Sequence, residues 1–174
     1  NKYTIPHYWG TLGILYNTRL VDEKVDSWDI LFNSKYSGQI IMENSVRDSF
    51  VPALKLLGYS INTDNTDELD EAEAMLKEQG PMVQAYLLDS ARDEMIAEND
   101  ANALVYSGEA PYATEYNDDL AYVVPKEGSN VWVDSWAITK DCKNTENAEK
   151  FLNYLLEVEI SKISFEYNHY GTPN

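Results

Sequence analysis

The sequence is poor in the groups that usually announce catalysis or anchoring. Its 174 residues contain one cysteine, Cys142, and two histidines, His7 and His169, which lie far apart. A lone cysteine excludes an internal disulfide scaffold and says little about compartment. Neither histidine has a Cys or His at ligand spacing beside it, and there is no HExxH, CxxC or zinc pattern, so no transition metal is expected. No GxGxxG or phosphate-binding loop precedes a helix and no GxSxG elbow occurs. Cys142 lies in a polar turn beside Asp141 with no evident base. No cofactor is therefore expected. No apolar run approaches the ~18 residues that a membrane-spanning helix needs. No signal peptide is visible, and the chain starts at Asn1 without Met. We therefore expect a processed or excised product from which an export signal has been lost.

Basic residues are scarce too. Thirteen Lys and Arg face 30 Asp and Glu, for a formal charge of −17. A field of that sign repels phosphate backbones and anionic lipid, so nucleic acid and membrane surfaces are poor partners and cations are favoured ones. Solubility alone explains such acidity equally well. With 44% apolar and 25% charged residues the composition is that of an ordinary soluble protein. The length suits one sizeable core. There is no repeat, low-complexity tract or obvious linker, so the sequence reads as one domain.

Short β-rich runs alternate with amphipathic helices, which argues an α/β fold. Strands are predicted at Leu12–Tyr16 after a Trp9-Gly10 turn, then at Gln39–Met42, Val83–Leu88, Ala103–Tyr106, Leu120–Val124 and Val131–Trp136. Ser27 caps a short helix through Phe32. A helix over 46–57 places Phe50, Val51, Leu54 and Leu57 on one face, and one over 67–79 turns Leu69, Ala72 and Leu76 inward. Further helices are predicted at 90–98 and 109–116, with Pro111 confined to an early position. Asn144 or Thr145 caps a helix striped by Ala148, Phe151, Leu152, Leu155 and Leu156. A last helix carries Ile160, Ile163, Ser164 and Tyr167. The tail Tyr170–Asn174 closes nothing, so the native polypeptide is expected to continue.

The strand Val131-Trp132-Val133-Asp134-Ser135-Trp136 carries one carboxylate between two tryptophans. Alternation puts Trp132 and Asp134 on one face, roughly 6.6 Å apart, with Val131 and Val133 packing the other way. An aromatic wall beside a negative charge suits an organic cation. An edge strand with a core Trp and a turn-initiating Asp gives the same letters. A glycosidase would need two carboxylates across a cleft with aromatic platforms, and Asp48 and Asp134 with Trp132 and Tyr106 can be drawn that way. With 30 acidic residues, however, some pair can always be found.

Taken in order, the segments Ile5-Pro6-His7-Tyr8-Trp9-Gly10, Leu15-Tyr16-Asn17, Ser27-Trp28-Asp29-Ile30-Leu31-Phe32 and Tyr36-Ser37-Gly38 form a recognisable series. It continues through Arg47-Asp48-Ser49-Phe50, Leu56-Leu57-Gly58-Tyr59-Ser60 and Val124-Pro125-Lys126-Glu127-Gly128. It closes with Trp132-Val133-Asp134-Ser135 and Tyr170-Gly171-Thr172-Pro173-Asn174. Over nearly its whole length the chain resembles the second lobe of the polyamine (spermidine/putrescine)-binding proteins of bacterial ABC importers. The resemblance implies a type II periplasmic binding protein that closes on its ligand by hinge bending. Residues 1–174 would form a single three-layer α/β lobe, a mixed sheet flanked by helices, with hinge-approaching segments near both ends. The first lobe of the same polypeptide and an ABC permease would be its partners, outside the cytoplasm.

The resemblance also assigns roles. Asp134 matches the aspartate that pairs with a ligand amine, and Trp132 is its aromatic neighbour. Asp48 stands where a second acid, usually Glu, is found. Tyr106 occupies a position often held by Trp, and Tyr170 matches an aromatic near the hinge. Ser45 departs from the pattern, because the family can carry a further Asp there; Glu43 or Glu109 is placed to compensate. Trp9, Trp28 and Trp136 are expected in packing roles. A related receptor for another cationic solute or a sugar fits the same resemblance less closely.

Overall fold

The computed structural model describes residues 3–172. Its strands and α-helices run β1 (Ile5–Gly10), β2 (Leu12–Asn17), β3 (Ile40–Glu43), α1 (Val46–Leu56), α2 (Thr66–Gln79), β4 (Val83–Leu87) and α3 (Ser90–Ile96). They continue with β5 (Asn102–Tyr106), α4 (Glu109–Tyr116), β6 (Leu120–Val123), β7 (Trp132–Trp136), α5 (Thr145–Leu155) and α6 (Val158–Asn168). Two compact units result: Thr11–Asn130, and the segment ending at Gly10 together with the one beginning at Val131.

The Thr11–Asn130 unit is a three-layer α/β structure. Its five-stranded sheet has the order β4-β3-β5-β2-β6. β3 runs parallel to both β4 and β5, while β2 is antiparallel to β5 and β6. Ile40, Ile41 and Met42 are fully buried, as a strand covered on both faces requires. Alternation sends Ile40 and Met42 into one apolar cluster with Leu12, Ile14, Trp28, Leu31 and Leu104. Ile41 goes to the opposite face, among Leu15, Ala91, Met95, Val105, Ala110 and Ala113, which covers the sheet with α3 and α4. A third cluster, of Ala53, Leu54 and Ala72, joins α1 to α2.

Short polar signals start these elements where the sequence places them. Ser27 caps a single 3₁₀ turn, Trp28–Phe32, by accepting the Asp29 N–H. Asn65 caps α2 by accepting the Asp67 N–H. Trp28 is fully buried, and its indole N–H donates to the Gly128 carbonyl at 2.9 Å. That bond ties the loop before β3 to the loop after β6.

In the other unit β1 pairs antiparallel with β7. β1 was not expected. Pro6 and a register shift between Pro6 and Tyr8 interrupt its pattern, and its partner strand lies far along the chain. The predicted packing of this unit needs correction in several places. Val133 is exposed, Trp9 and Trp136 are 46% and 39% exposed, and only Trp28 of the three proposed packing tryptophans is core. On α5 Leu152 is buried but Phe151 is exposed, and on α6 Ile163 and Tyr167 are exposed. Two strands provide too little apolar surface to cover two amphipathic helices.

Trp28→Ala removes both the largest buried side chain and the bond to Gly128. We expect a loss of about 3–5 kcal/mol in urea-unfolding free energy; a loss below ~1 kcal/mol would show that the loops do not depend on it.

Candidate functional site

Each unit presents a carboxylate flanked by aromatic and hydroxyl groups. In the Thr11–Asn130 unit, β3 and β5 are parallel, so α1 and α4 both start at the edge of the sheet where those strands end. Ligands of open α/β sheets commonly bind at such an edge. Ser45 is the N-cap of α1. Its hydroxyl accepts the Asp48 N–H at 3.4 Å and donates to Asp48 Oδ2 at 2.7 Å. Tyr106, the last residue of β5, donates its hydroxyl to the same Oδ2 at 2.7 Å. Three of the predicted site residues thus meet at one carboxylate, with both hydroxyls on Oδ2. Burial, and then the bond to Asp48, push the Tyr106 phenol far up, so it acts as a donor throughout the physiological range.

Glu43 lies just before this turn, with its backbone carbonyl accepting the Ser49 hydroxyl at 2.6 Å. Its side chain is only 2% exposed and its Oε2 is buried with no hydrogen-bond partner. Burial, followed by the charges of Asp48, Asp89 and Glu109, raises its pKa from 4.5 to about 8. Glu109, the other acid proposed to compensate for Ser45, accepts from Arg92 Nη1 at 2.9 Å.

In the second unit the register sets Tyr8 opposite Asp134 and Gly10 opposite Trp132. Directly opposed residues share a face, so Tyr8, Trp132 and Asp134 project together. Tyr170 meets Trp132 edge-on, with ring centroids 5.2 Å apart, and lies 6.4 Å from the Tyr8 ring. The Trp9 N–H donates to the Gly171 carbonyl at 2.9 Å. A Cβ on Gly171 would come within 2.4 Å of the Trp9 indole, so only glycine fits beside Tyr170. His7, at the irregular step of β1, has its ring 4.7 Å from that of Trp136, the two planes tilted by 47°. Burial lowers its pKa despite the opposing charge of Asp134, and the ring is neutral at pH 7.

The structure therefore brings Ser45, Asp48 and Tyr106 together in one unit, and Trp132 and Tyr170, on the strand face of Asp134, in the other. Pro173 and Asn174 of the tail motif lie outside the described residues. Tyr8 and His7 were missed because β1 was read as the approach to a turn. Among the described residues no three His, Cys, Asp or Glu side chains converge as metal ligands, and no described helix is long and apolar enough to cross a membrane.

The edge site and the sheet order define a solute-receptor type of α/β fold. The family described as bacterial extracellular solute-binding protein matches residues 1–174, and the chain belongs to it. It is 36% identical over 176 residues to the spermidine/putrescine-binding periplasmic protein of Escherichia coli (strain K12), covering 100% of this chain and 50% of that protein. It is 33% identical over 178 residues to the putrescine-binding periplasmic protein SpuD of Pseudomonas aeruginosa (strain UCBPP-PA14), covering 92% and 48%. In structure it is similar to the spermidine/putrescine ABC transporter substrate-binding protein PotD from Streptococcus pneumoniae strain Canada MDR_19A, with a TM-score of 0.86 and 39% identity over 100% of this chain and 54% of that one. The chain spans about half the length of the curated relatives it matches.

The buried acids make stability depend on pH. The folded state of Glu43 holds its proton up to about pH 8, against 4.5 for the ordinary group. Asp100, fully buried, is raised in the same direction by burial and then by Glu94. Their stabilising contribution is complete below their ordinary values, 4.5 for Glu43 and 3.8 for Asp100, and is lost as pH rises through the folded pKa values. We expect the thermal midpoint to fall as pH rises from about 5 to about 8, with a flatter profile for Glu43→Gln. Superimposable profiles for the two proteins would contradict the assignment to Glu43.

Proposed function

We propose that this chain binds a polyamine, putrescine or spermidine, as one lobe of a hinge-closing receptor that delivers it to an ABC importer. The observation that carries this reading is the Asp48 carboxylate, held through one oxygen by the Ser45 and Tyr106 hydroxyls. The pairing of a carboxylate with aromatic rings recurs at Asp134, Trp132 and Tyr170. A polyamine alternates ammonium groups with short methylene runs. Burying an ammonium is costly unless a carboxylate pairs with it and its other protons find acceptors. Asp48 and Asp134 supply the charges through charge-assisted bonds. The Trp132, Tyr106 and Tyr170 rings supply flat walls for the methylenes, and cation–π contact adds about 0.5–2 kcal/mol depending on desolvation. The names of the Escherichia coli and Pseudomonas aeruginosa relatives support the same ligand class.

On this reading the Thr11–Asn130 unit is the lobe proper, and the segments before and after it approach the hinge. The first lobe of the same polypeptide completes the receptor outside the cytoplasm, where the closed form docks on a membrane permease. The −17 charge steers cations inward. The chain captures its ligand and does not transform it, so no glycoside should be turned over.

The test is an NMR amide-shift titration with putrescine and spermidine at low and moderate salt, with a simple glucoside as control. Saturable shifts clustered at Asp48, Tyr106, Trp132 and Asp134, for polyamines alone, are expected. Asp134→Asn should weaken binding by roughly 2 kcal/mol or more, about 30-fold. Diffuse shifts that vanish with salt, or unchanged affinity in that variant, would overturn the site.

A further inference from the structure

Glu43 has a position that its neighbours in sequence do not share. It ends β3, which lies between two parallel strands. Ile41, two residues earlier, packs on the sheet face covered by α3 and α4, and alternation sends Glu43 to that same face. The charged groups that act on its carboxyl come from each neighbouring element: Asp48 from α1, Asp89 from the start of α3, and Glu109 from α4. Tyr106, from β5, senses Glu43 in turn. Arg92 is the nearby cation of α3, and it is engaged by Glu109 and Asp93. The Glu43 side chain is thus almost fully buried, three acids act on its charge, and one of its oxygens has no partner. A buried carboxyl oxygen left unsatisfied is costly, and a cationic donor is the group that would relieve it.

Resting on the polyamine reading above, we propose that Glu43 is a further acid of the site: it is neutral without ligand and releases its proton to solvent when an ammonium group comes to Asp48. The balance is simple. The carboxyl O–H bond breaks, the proton passes to buffer, and the carboxylate left behind adds its charge to that of Asp48. Its pKa of about 8 means that the proton is present at neutral pH. An ammonium neutralises Asp48, one of the charges that hold the proton on, and attracts the carboxylate directly. Ser45 makes this acid useful, because its hydroxyl is spent on Asp48 and brings no charge of its own. Polyamine uptake is therefore coupled to proton release, and affinity rises with pH across the neutral range.

The experiment is calorimetry of the protein with putrescine at pH 7 in phosphate and in Tris, whose ionisation enthalpies differ widely. Release of a large fraction of one proton should appear as a buffer-dependent binding enthalpy. Affinity followed by NMR should tighten by ~10-fold between about pH 6 and pH 7.5. In Glu43→Gln both the buffer dependence and the pH dependence should be lost. Carboxyl ¹³C shifts of Glu43 in the unaltered protein give a readout that needs no variant, and should move to the ionised value on adding putrescine at pH 7. Saturable binding with identical enthalpies in the two buffers, or proton release that persists in Glu43→Gln, would overturn the role of Glu43 and leave the polyamine site standing. Absence of saturable binding at any pH would overturn both.

Discussion

A carboxyl group that must stay out of water at the end of a fully covered strand is the constraint around which the Thr11–Asn130 unit is arranged. Ile40, Ile41 and Met42 bury both faces of β3, so the residue that follows them inherits the burial whatever its polarity. Because β3 and β5 are parallel, the chain enters α1 and α4 at the same edge. Helix starts carry unpaired N–H groups and the positive end of the dipole, which offsets part of the cost of gathering acids there. Glu43, at the end of β3, is still pushed upward, by burial first and then by Asp48, Asp89 and Glu109. An edge built in this way has a standing preference for a cation.

The two carboxylates proposed to meet ligand ammonium groups, one in each unit, are prepared by different means. Asp48 is oriented by hydroxyl donors, one from the cap of its own helix and one from the end of β5. Asp134 is oriented by its strand, with the β1 pairing setting Tyr8 opposite it and Tyr170 closing on the neighbouring indole. The first arrangement fixes a rotamer through hydrogen bonds, and the second fixes a face through backbone register. Both reduce the side-chain freedom that binding would otherwise have to remove.

Much of the first unit was legible in the sequence because its signals are local. The periodic apolar residues of α1 and α2, the cap Ser27, and the continuous apolar run of β3 each act within a few residues. Tyr106 ends a predicted strand and Asp48 lies at the start of a predicted helix, but the hydroxyl bond that joins them depends on sheet order. β1 was illegible because its pattern is broken by Pro6 and the irregular step at His7, while its pairing comes from distant β7. That one omission hid Tyr8. Phe151, Ile163 and Tyr167 were read as packing residues from period alone; period reports an amphipathic face and not whether anything covers it. Glu43 raised the opposite difficulty. Its neighbours Asn44 and Ser45 read as a polar turn, and nothing local shows that the glutamate beside them is buried.

The serine at position 45 then has a physical rationale. An aspartate there would cap α1 equally well. It would also bring a further negative charge to Asp48, whose own charge already acts on Glu43 together with those of Asp89 and Glu109. Like charges so placed cannot all ionise without a cation, and the extra repulsion would drive Glu43 still further toward its neutral form. Serine keeps the cap, and its hydroxyl donates to Asp48 where an ionised aspartate has no proton to give. Held at a buried strand end, the Glu43 acid is an anion that appears when a cation arrives.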